Sequence, residues 1–325
     1  MAQENSLFAE LEEQRTAGER SERWKRVGAR WRDTLVEQWG ILTDDVLVVA
    51  AMGVLGFFTL VALFAPYIAP FEPTERQYVD GGALIAQWKK PGLLGGPDQF
   101  ILGTTAQGYD IFSQLVYGTR PALLVGFVAA FLTVGIGTSL GLIAGYYGGY
   151  VDDALMRLVD FAYGLPLLPT VVVFVSIIGP GFVNVLFAII LLQWRASARV
   201  IRSQVLSLRE RPFVRAARVA GASDWRIITR HIAPNVVPLS FLYGAFAVGW
   251  AILTEAGASF LGMGDPNQVS WGTMLQSARA YSALSEGTWW WFVPPGICIA
   301  LVVISGFLIG RGYEEVVNPE LQLDQ

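Results

Sequence analysis

One short segment of this sequence matches a catalytic motif. The segment GTSLG, from Gly137 to Gly141, fits the G-x-S-x-G pattern of a nucleophile elbow, whose serine sits on a sharp turn between a strand and a helix. Ser139 instead lies inside a long uncharged stretch, and the one histidine, His231, falls in a distant basic segment. We therefore interpret Gly137, Gly141 and Gly145, spaced every four residues, as a small-residue helix face for close packing in a membrane.

Nucleotide and metal chemistry have no motif in this chain. The sequence contains no G-x-x-x-x-G-K-[ST] loop, so we expect no phosphate-binding loop for ATP. Cys298 is the single cysteine, which argues against intrachain disulfides and Cys-rich metal sites. We expect a non-catalytic chain that binds no cofactor, no metal and no nucleic acid.

Two acidic residues lie close to the hydrophobic stretches. A transporter driven by an ion gradient needs ionisable groups near the middle of the membrane, and Glu255 and Asp160 are the candidates for that alternative function. Both fall at the ends of predicted spans, where local roles suffice. Asp160 can pair with Arg157 one helical turn earlier, and Glu255 can brace the outer turn.

The composition indicates a membrane protein. Hydrophobic residues make up 53% of the 325 residues and charged residues only 15%, whereas soluble domains are about a quarter charged. A bilayer core about 30 Å thick requires about 20 apolar helical residues per span. The sequence therefore predicts an all-α polytopic fold with six transmembrane helices. The predicted spans are residues 46–68, 121–145, 161–179, 182–203, 236–254 and 289–310. In the third, Pro166 and Pro169 predict a kink rather than an end.

The distribution of basic residues predicts the orientation. With the N-terminus inside, 18 of the 23 Lys and Arg residues lie on the cytoplasmic side, as the positive-inside rule favours. Both termini are then cytoplasmic. The predicted organisation is a cytosolic segment 1–45, a first helix 46–68, an extracytoplasmic segment 69–118, a transmembrane core 119–311 and a cytosolic tail 312–325.

A basic segment over residues 209–234 interrupts the hydrophobic core. Ala216, Ala217 and Gly221 predict a small-residue strip on a helix that begins near Arg211 and stops at Gly221. Ser223 is a candidate N-cap for a second short helix, and Pro234 is the predicted end of that helix. A compact element with a smooth strip beside positive charge suits a groove on another protein better than a solvated loop does.

These residues resemble a known family. The segment RAARVAG, with a proline at 234, resembles the EAA loop of binding-protein-dependent ABC importer permeases, with Arg215 where many of them have Glu. RHIAPN resembles the dipeptide, oligopeptide and nickel branch, in its C-type subunit. Further along the chain, ILGTTAQGYDIFSQLVYGTR, GYYGGYVDDALMRLVD, TEAGASFLGMG and SWGTML also resemble segments of that branch, although Thr105 and Tyr109 depart from its usual Asp and Arg.

The resemblance implies a type I importer fold and half of a translocation pathway for peptides or oligosaccharides. It implies coupling to a partner ATPase through eight residues: Arg215, Ala216, Ala217, Gly221, Ser223, Asp224, His231 and Pro234. It implies gating near four more: Glu255, Ser259, Phe260 and Gly262. The implied partners are a second permease, two ATP-binding subunits that hold ATP and Mg²⁺, and an extracytoplasmic binding protein, at the cytoplasmic membrane of a prokaryote.

Overall fold

The computed structural model describes residues 40, 42–79, 84–85 and 87–317. The predicted cytosolic segments 1–45 and 312–325 therefore fall largely outside the described residues. The described chain is helical apart from a hairpin of two-residue strands, β1 (Tyr78–Val79) and β2 (Leu84–Ile85), and a 3-10 turn. The helices are α1 Val46–Ile68, α2 Ile111–Tyr147, α3 Gly149–Gly164, α4 Leu167–Ile178, α5 Phe182–Gln193, α6 Arg195–Arg209, α7 Pro212–Val219, α8 Asp224–Ile227, α9 Ala233–Phe260, α10 Trp271–Ala280 and α11 Trp289–Val317.

Within the described residues, five helical stretches are long and apolar enough to cross a membrane. They are Val46–Leu63, Ile111–Tyr147, Phe182–Leu208, Asp224–Phe260 and Trp289–Glu314. A sixth span arises if α3 and α4 form one broken crossing. The prediction of an all-α, multi-span membrane protein is thereby confirmed.

The observed bounds differ from the predicted ones mainly by extension. Helix α1 coincides with its predicted span, and the Asp45 carboxylate accepts a hydrogen bond from the Leu47 amide at its start. Helix α2 begins ten residues before the predicted 121, because Asp110 caps it and Pro121 is accommodated inside it. Helices α9 and α11 likewise extend beyond 236–254 and 289–310.

The predicted kinked span at 161–179 is instead a sharp break. Helices α3 and α4 meet at 89°, with Leu165 extended at the residue before Pro166, where proline disfavours helical backbone. The second proline, Pro169, lies in the first turn of α4, where a missing amide N–H costs little. Pro166 therefore separates two distinct helices, whereas the prediction was one kinked helix.

Two arginines donate to carbonyl groups that lie four residues before a proline. Pro66, inside α1, has no N–H for the carbonyl of Ala62, and Arg120 donates to that oxygen at 2.7 Å. Pro166 cannot donate to Ala162, whose carbonyl accepts from the Leu165 amide at 3.3 Å and from Arg195 at 2.9 Å. Because lipid supplies no hydrogen bonds, each guanidinium stabilises a proline site next to a membrane-spanning helix.

Helices α2 and α6 approach each other along the glycine face. A Cβ atom at Gly137 would lie 2.0 Å from Ser197 Oγ, and one at Gly141 would lie 2.7 Å from the Ala198 carbonyl oxygen. At Gly145 it would lie 2.7 Å from Val205 Cβ. All three glycines are buried, so their missing side chains set the distance between the helices.

Candidate coupling element and outer gate

Residues 210–232 form a compact element at the predicted cytoplasmic end of the bundle, which we call the coupling element. Helix α7 begins at Pro212 and ends before Gly221, whose φ of +78° suits glycine. Helix α8 follows after Ser223 and passes through a π-helical turn, Ile228–Ile232, into α9. The order is helix, glycine turn, helix.

Two details of this element correct the sequence prediction. Ser223 occupies the N-cap position of α8, but its side chain makes no capping hydrogen bond. Pro234 does not end the second helix. It lies in the first turn of α9, where its missing N–H is tolerated, so the chain stays helical from Asp224 to Phe260. His231 lies in the π-helical turn just before it.

The inner face of the coupling element is anchored in the bundle. Val214 and Ile227 are fully buried, in one apolar cluster with Ile232 of the π-helical turn and with Ile201 and Val205 of α6. A polar contact adds to this packing, because the Tyr146 hydroxyl of α2 donates to the Asp224 carboxylate at 2.6 Å. Asp224 was among the predicted coupling residues, whereas its partner Tyr146 was not.

The outer face of the coupling element is exposed and partly apolar. Ala216 and Gly221 are exposed, and Ala217 is half-buried. Val219 and Trp225, which the sequence analysis did not single out, are 91% and 75% exposed. These two side chains give the outer face an apolar component beside its exposed arginines. Arg215 pairs with Glu210 at 3.3 Å and in solvent, where an ion pair contributes little.

Ion pairs brace the helices that carry the coupling element. Asp160 pairs with Arg199 of α6 rather than with Arg157, so the predicted intrahelical pair is wrong. Arg202, also of α6, makes two hydrogen bonds to the largely buried Asp152 of α3. Both contacts join residues about 40 to 50 positions apart, which no local spacing rule reveals.

The four predicted gating residues meet at the opposite end of α9. Glu255 is 4% exposed and accepts hydrogen bonds from Ser259 Oγ at 2.7 Å and from Ser270 Oγ at 3.2 Å. Gly262 turns the chain with a φ of +89°, and the Phe260 ring lies under the Arg279 guanidinium. Glu255 takes part in no ion pair among the described residues.

Ser270 links this carboxylate to the next helix. Its side chain caps α10 by accepting from the Thr273 amide, while Thr273 Oγ1 accepts from the Ser270 amide. Glu255 thus connects the end of α9 to the start of α10. We refer to this hydrogen-bonded group, with the turn at Gly262, as the outer gate cluster.

The predicted extracytoplasmic segment packs beside the outer gate cluster. Thr105 Oγ1 accepts from the amides of Gln107 and Tyr109, so the residue that replaces Asp in the resembling motif still holds a turn. Burial raises the pKa of Asp110, and its hydrogen bonds with Ser113 act in the opposite direction. This segment and the residues after Gly262 enclose a polar cavity of about 340 Å³.

Two family models match this chain. Residues 137–322 match the family model of the binding-protein-dependent transport system inner membrane component, and residues 31–84 match the N-terminal TM domain of oligopeptide transport permease C. A solved structure, the MetNI methionine ABC transporter in inward-facing conformations, aligns with a TM-score of 0.47 at 18% identity over 63% of this chain and 95% of its own.

Curated relatives cover nearly the whole chain. The Di/tripeptide transport system permease protein DppC of Pseudomonas aeruginosa is 36% identical over 84% of this chain and 88% of its own length. The Glutathione transport system permease protein GsiD of Pectobacterium atrosepticum is 32% identical over 92% and 94%. The chain therefore belongs to the family of inner membrane components of binding-protein-dependent transport systems.

Proposed function

We propose that this protein is one of two membrane subunits of an ATP-driven peptide importer with the type I fold, located in the cytoplasmic membrane of a prokaryote. Relatives at 32 to 36% identity are named for di/tripeptide and glutathione transport, and both kinds of cargo are small peptides. A second permease would complete the pathway. Two ATPase subunits would hold ATP and Mg²⁺, and a binding protein would deliver cargo from outside.

One observation carries this proposal above the others. The helical stretch Asp224–Phe260 runs without interruption from the coupling element to the outer gate cluster, and its 37 residues span about 55 Å at 1.5 Å per residue. Such a stretch can carry a displacement from one end of the bundle to the other. We infer that ATP-driven closure of the ATPase subunits moves the coupling element and that α9 transmits the movement to Glu255.

The coupling element has the features that this mechanism needs. Its inner face is fixed by buried apolar residues and by the Tyr146–Asp224 hydrogen bond, so it moves together with α2 and α9. Its outer face offers Val219 and Trp225 to a partner. Coupling then requires that ATP and the loaded binding protein each favour one state of the whole assembly.

The alternative of an ion-gradient transporter gains no support from the acidic residues. Asp160 is neutralised by Arg199 at the predicted cytoplasmic end, and Glu255 is held by two serine hydroxyls at the opposite end of the bundle. Neither carboxylate lies isolated near mid-membrane, which is where a proton relay would require it.

Substitutions on the outer face of the coupling element test the proposal. Gly221→Trp obstructs the strip but also strains a left-handed backbone, whereas Val219→Asp changes only an exposed side chain. In the reconstituted importer both variants should lose ATPase stimulation by loaded binding protein. Tyr150→Trp, at a 95% exposed position outside the element, is the control and should behave as the unaltered protein. Normal stimulation and uptake by Val219→Asp would refute the docking assignment.

A further inference from the structure

Arg195 occupies an unusual position for a positive charge. It is the first residue of α6, close behind the apolar helix α5, and it precedes Arg199 and Arg202 by one and two helical turns in the membrane-spanning stretch Phe182–Leu208. Those two arginines pair with Asp160 and Asp152, whereas Arg195 has no carboxylate partner among the described residues. An arginine without a carboxylate partner inside a membrane-spanning stretch is costly and is typically retained for a function.

The guanidinium of Arg195 is only partly engaged. One nitrogen donates to the Ala162 carbonyl at the Pro166 break, and the group lies 5.2 Å from the centre of the Tyr163 ring. A guanidinium has five N–H donors, so most of them remain free for an acceptor. The Ala162 carbonyl at the Pro166 break requires a hydrogen-bond donor, which an uncharged side chain could also supply.

Arg195 lines a cavity of about 680 Å³ between membrane-spanning helices, which we call the Arg195 cavity. This volume falls within the range of small-molecule sites. Gln193 also lines the cavity, and its Oε1 is buried without a hydrogen-bond partner in the described part of the chain. A cavity with such polar groups at membrane depth must face water, cargo or protein, because lipid would leave them unsatisfied.

The opposite wall of the Arg195 cavity is aromatic. It is lined by Tyr243, Phe246, Trp250 and Phe307, in which Trp250 and Phe307 lie edge to face with ring centres 6.0 Å apart. Trp250 is 52% exposed in the isolated chain, although it lies within the membrane-spanning helix α9. The cavity thus combines a positive group with a broad apolar surface.

We propose that the Arg195 cavity is a binding site for cargo within the membrane, in which Arg195 holds a carboxylate of a short peptide and the aromatic wall holds its apolar side chain. This inference rests on the proposed importer function. Guanidinium and carboxylate form charge-assisted hydrogen bonds, and a carboxylate would compensate the charge that the protein leaves unpaired.

The test measures direct binding of Ala-Phe, a dipeptide with a free carboxylate, to the assembled importer. The complex is placed in phosphatidylcholine nanodiscs without its binding protein, and binding of radiolabelled Ala-Phe is measured by scintillation proximity. Arg195→Gln keeps a donor for the Ala162 carbonyl but removes the charge. It should weaken binding by about tenfold or more, as expected for loss of a charged hydrogen bond. The control Arg157→Gln, at an exposed position of α3, should not.

Further experiments distinguish between the possible occupants of the cavity. The amide of Ala-Phe should compete at least about tenfold more weakly than Ala-Phe itself, for the same physical reason. Equal competition, or wild-type affinity in Arg195→Gln, would overturn the proposal. Native mass spectrometry tests the two other occupants. If the wild type retains phosphatidylglycerol and Arg195→Gln does not, the group that Arg195 binds is a lipid phosphate, and the proposal is overturned. If the two permeases dissociate in Arg195→Gln, the group belongs to the partner permease, which also overturns the proposal.

The ATPase activity of the same preparation separates this inference from the proposed function. If loaded binding protein fails to stimulate the wild-type complex, the importer assignment itself fails. If stimulation is normal but Ala-Phe binding does not depend on Arg195, only the Arg195 cavity assignment is wrong.

Discussion

Replacement of Gly137 by alanine should destabilise the protein, although alanine is the better helix former. A Cβ atom added at Gly137 would lie 2.0 Å from Ser197 Oγ and 2.4 Å from the Trp194 carbonyl oxygen. Contacts below 3 Å cannot be absorbed by a rotamer change when one of the atoms is backbone. Helices α2 and α6 would have to separate, and the contacts at Gly141 and Gly145 would loosen with them.

The expected magnitude follows from two opposing effects. Overpacking a tight contact typically costs about 1 to 3 kcal/mol of unfolding free energy. Replacing a helical glycine by alanine recovers about 1 kcal/mol of backbone entropy. Gly135 lies on the same helix with no atom within 4 Å of its added Cβ, so Gly135→Ala should gain the entropy without the clash. We therefore expect Gly137→Ala to be less stable than Gly135→Ala by about 2 kcal/mol.

The assay is SDS titration of the purified protein in mixed micelles, with unfolding free energies compared at a fixed detergent composition. Gly137→Ala should unfold at a lower SDS fraction than the wild type, and Gly135→Ala at the same or a higher fraction. Equal unfolding free energies for the two variants would refute the claim that this glycine face sets the distance between α2 and α6.

Two further predictions concern hydrogen bonds between distant elements. Tyr146→Phe removes the donor to Asp224 and should lower the ATPase activity stimulated by binding protein several-fold, since a hydrogen bond contributes about 1 kcal/mol net. The control Tyr147→Phe should leave this activity unchanged. Equal activities of the two variants would contradict a coupling role for Tyr146. Arg120→Leu should cost about 1 to 3 kcal/mol in SDS titration, because it leaves the carbonyl opposite Pro66 unsatisfied. Adding Pro66→Ala restores an N–H and should recover part of that loss, and no recovery would show that Arg120 acts elsewhere.

The parts of the fold that depend on local sequence could be predicted. The helix Val46–Ile68 was bounded correctly because it is an uncharged stretch of span length. The turn at Gly221 was visible because glycine tolerates a left-handed backbone, and the faces of Gly137, Gly141 and Gly145 were visible from their spacing.

The features that the sequence did not reveal depend on contacts between distant helices. Pro166 could signal a kink or a break, and only the packing of α3 and α4 decides for an 89° turn. Asp160 had an arginine at helical spacing, yet the nearer cation in space comes from α6. Tyr146 resembles any aromatic residue at the end of a span until its hydroxyl is found beside Asp224.

The central claim is that this chain works as the membrane half of an ATP-coupled importer. The most direct measurement purifies the tagged chain from its native membrane in mild detergent, identifies its partners by mass spectrometry and assays the eluate for ATPase activity. Our account predicts a second permease, P-loop ATPase subunits and ATP hydrolysis that loaded binding protein stimulates. Recovery of the chain alone, without ATPase activity, would contradict it and would direct attention to Glu255 and Asp160.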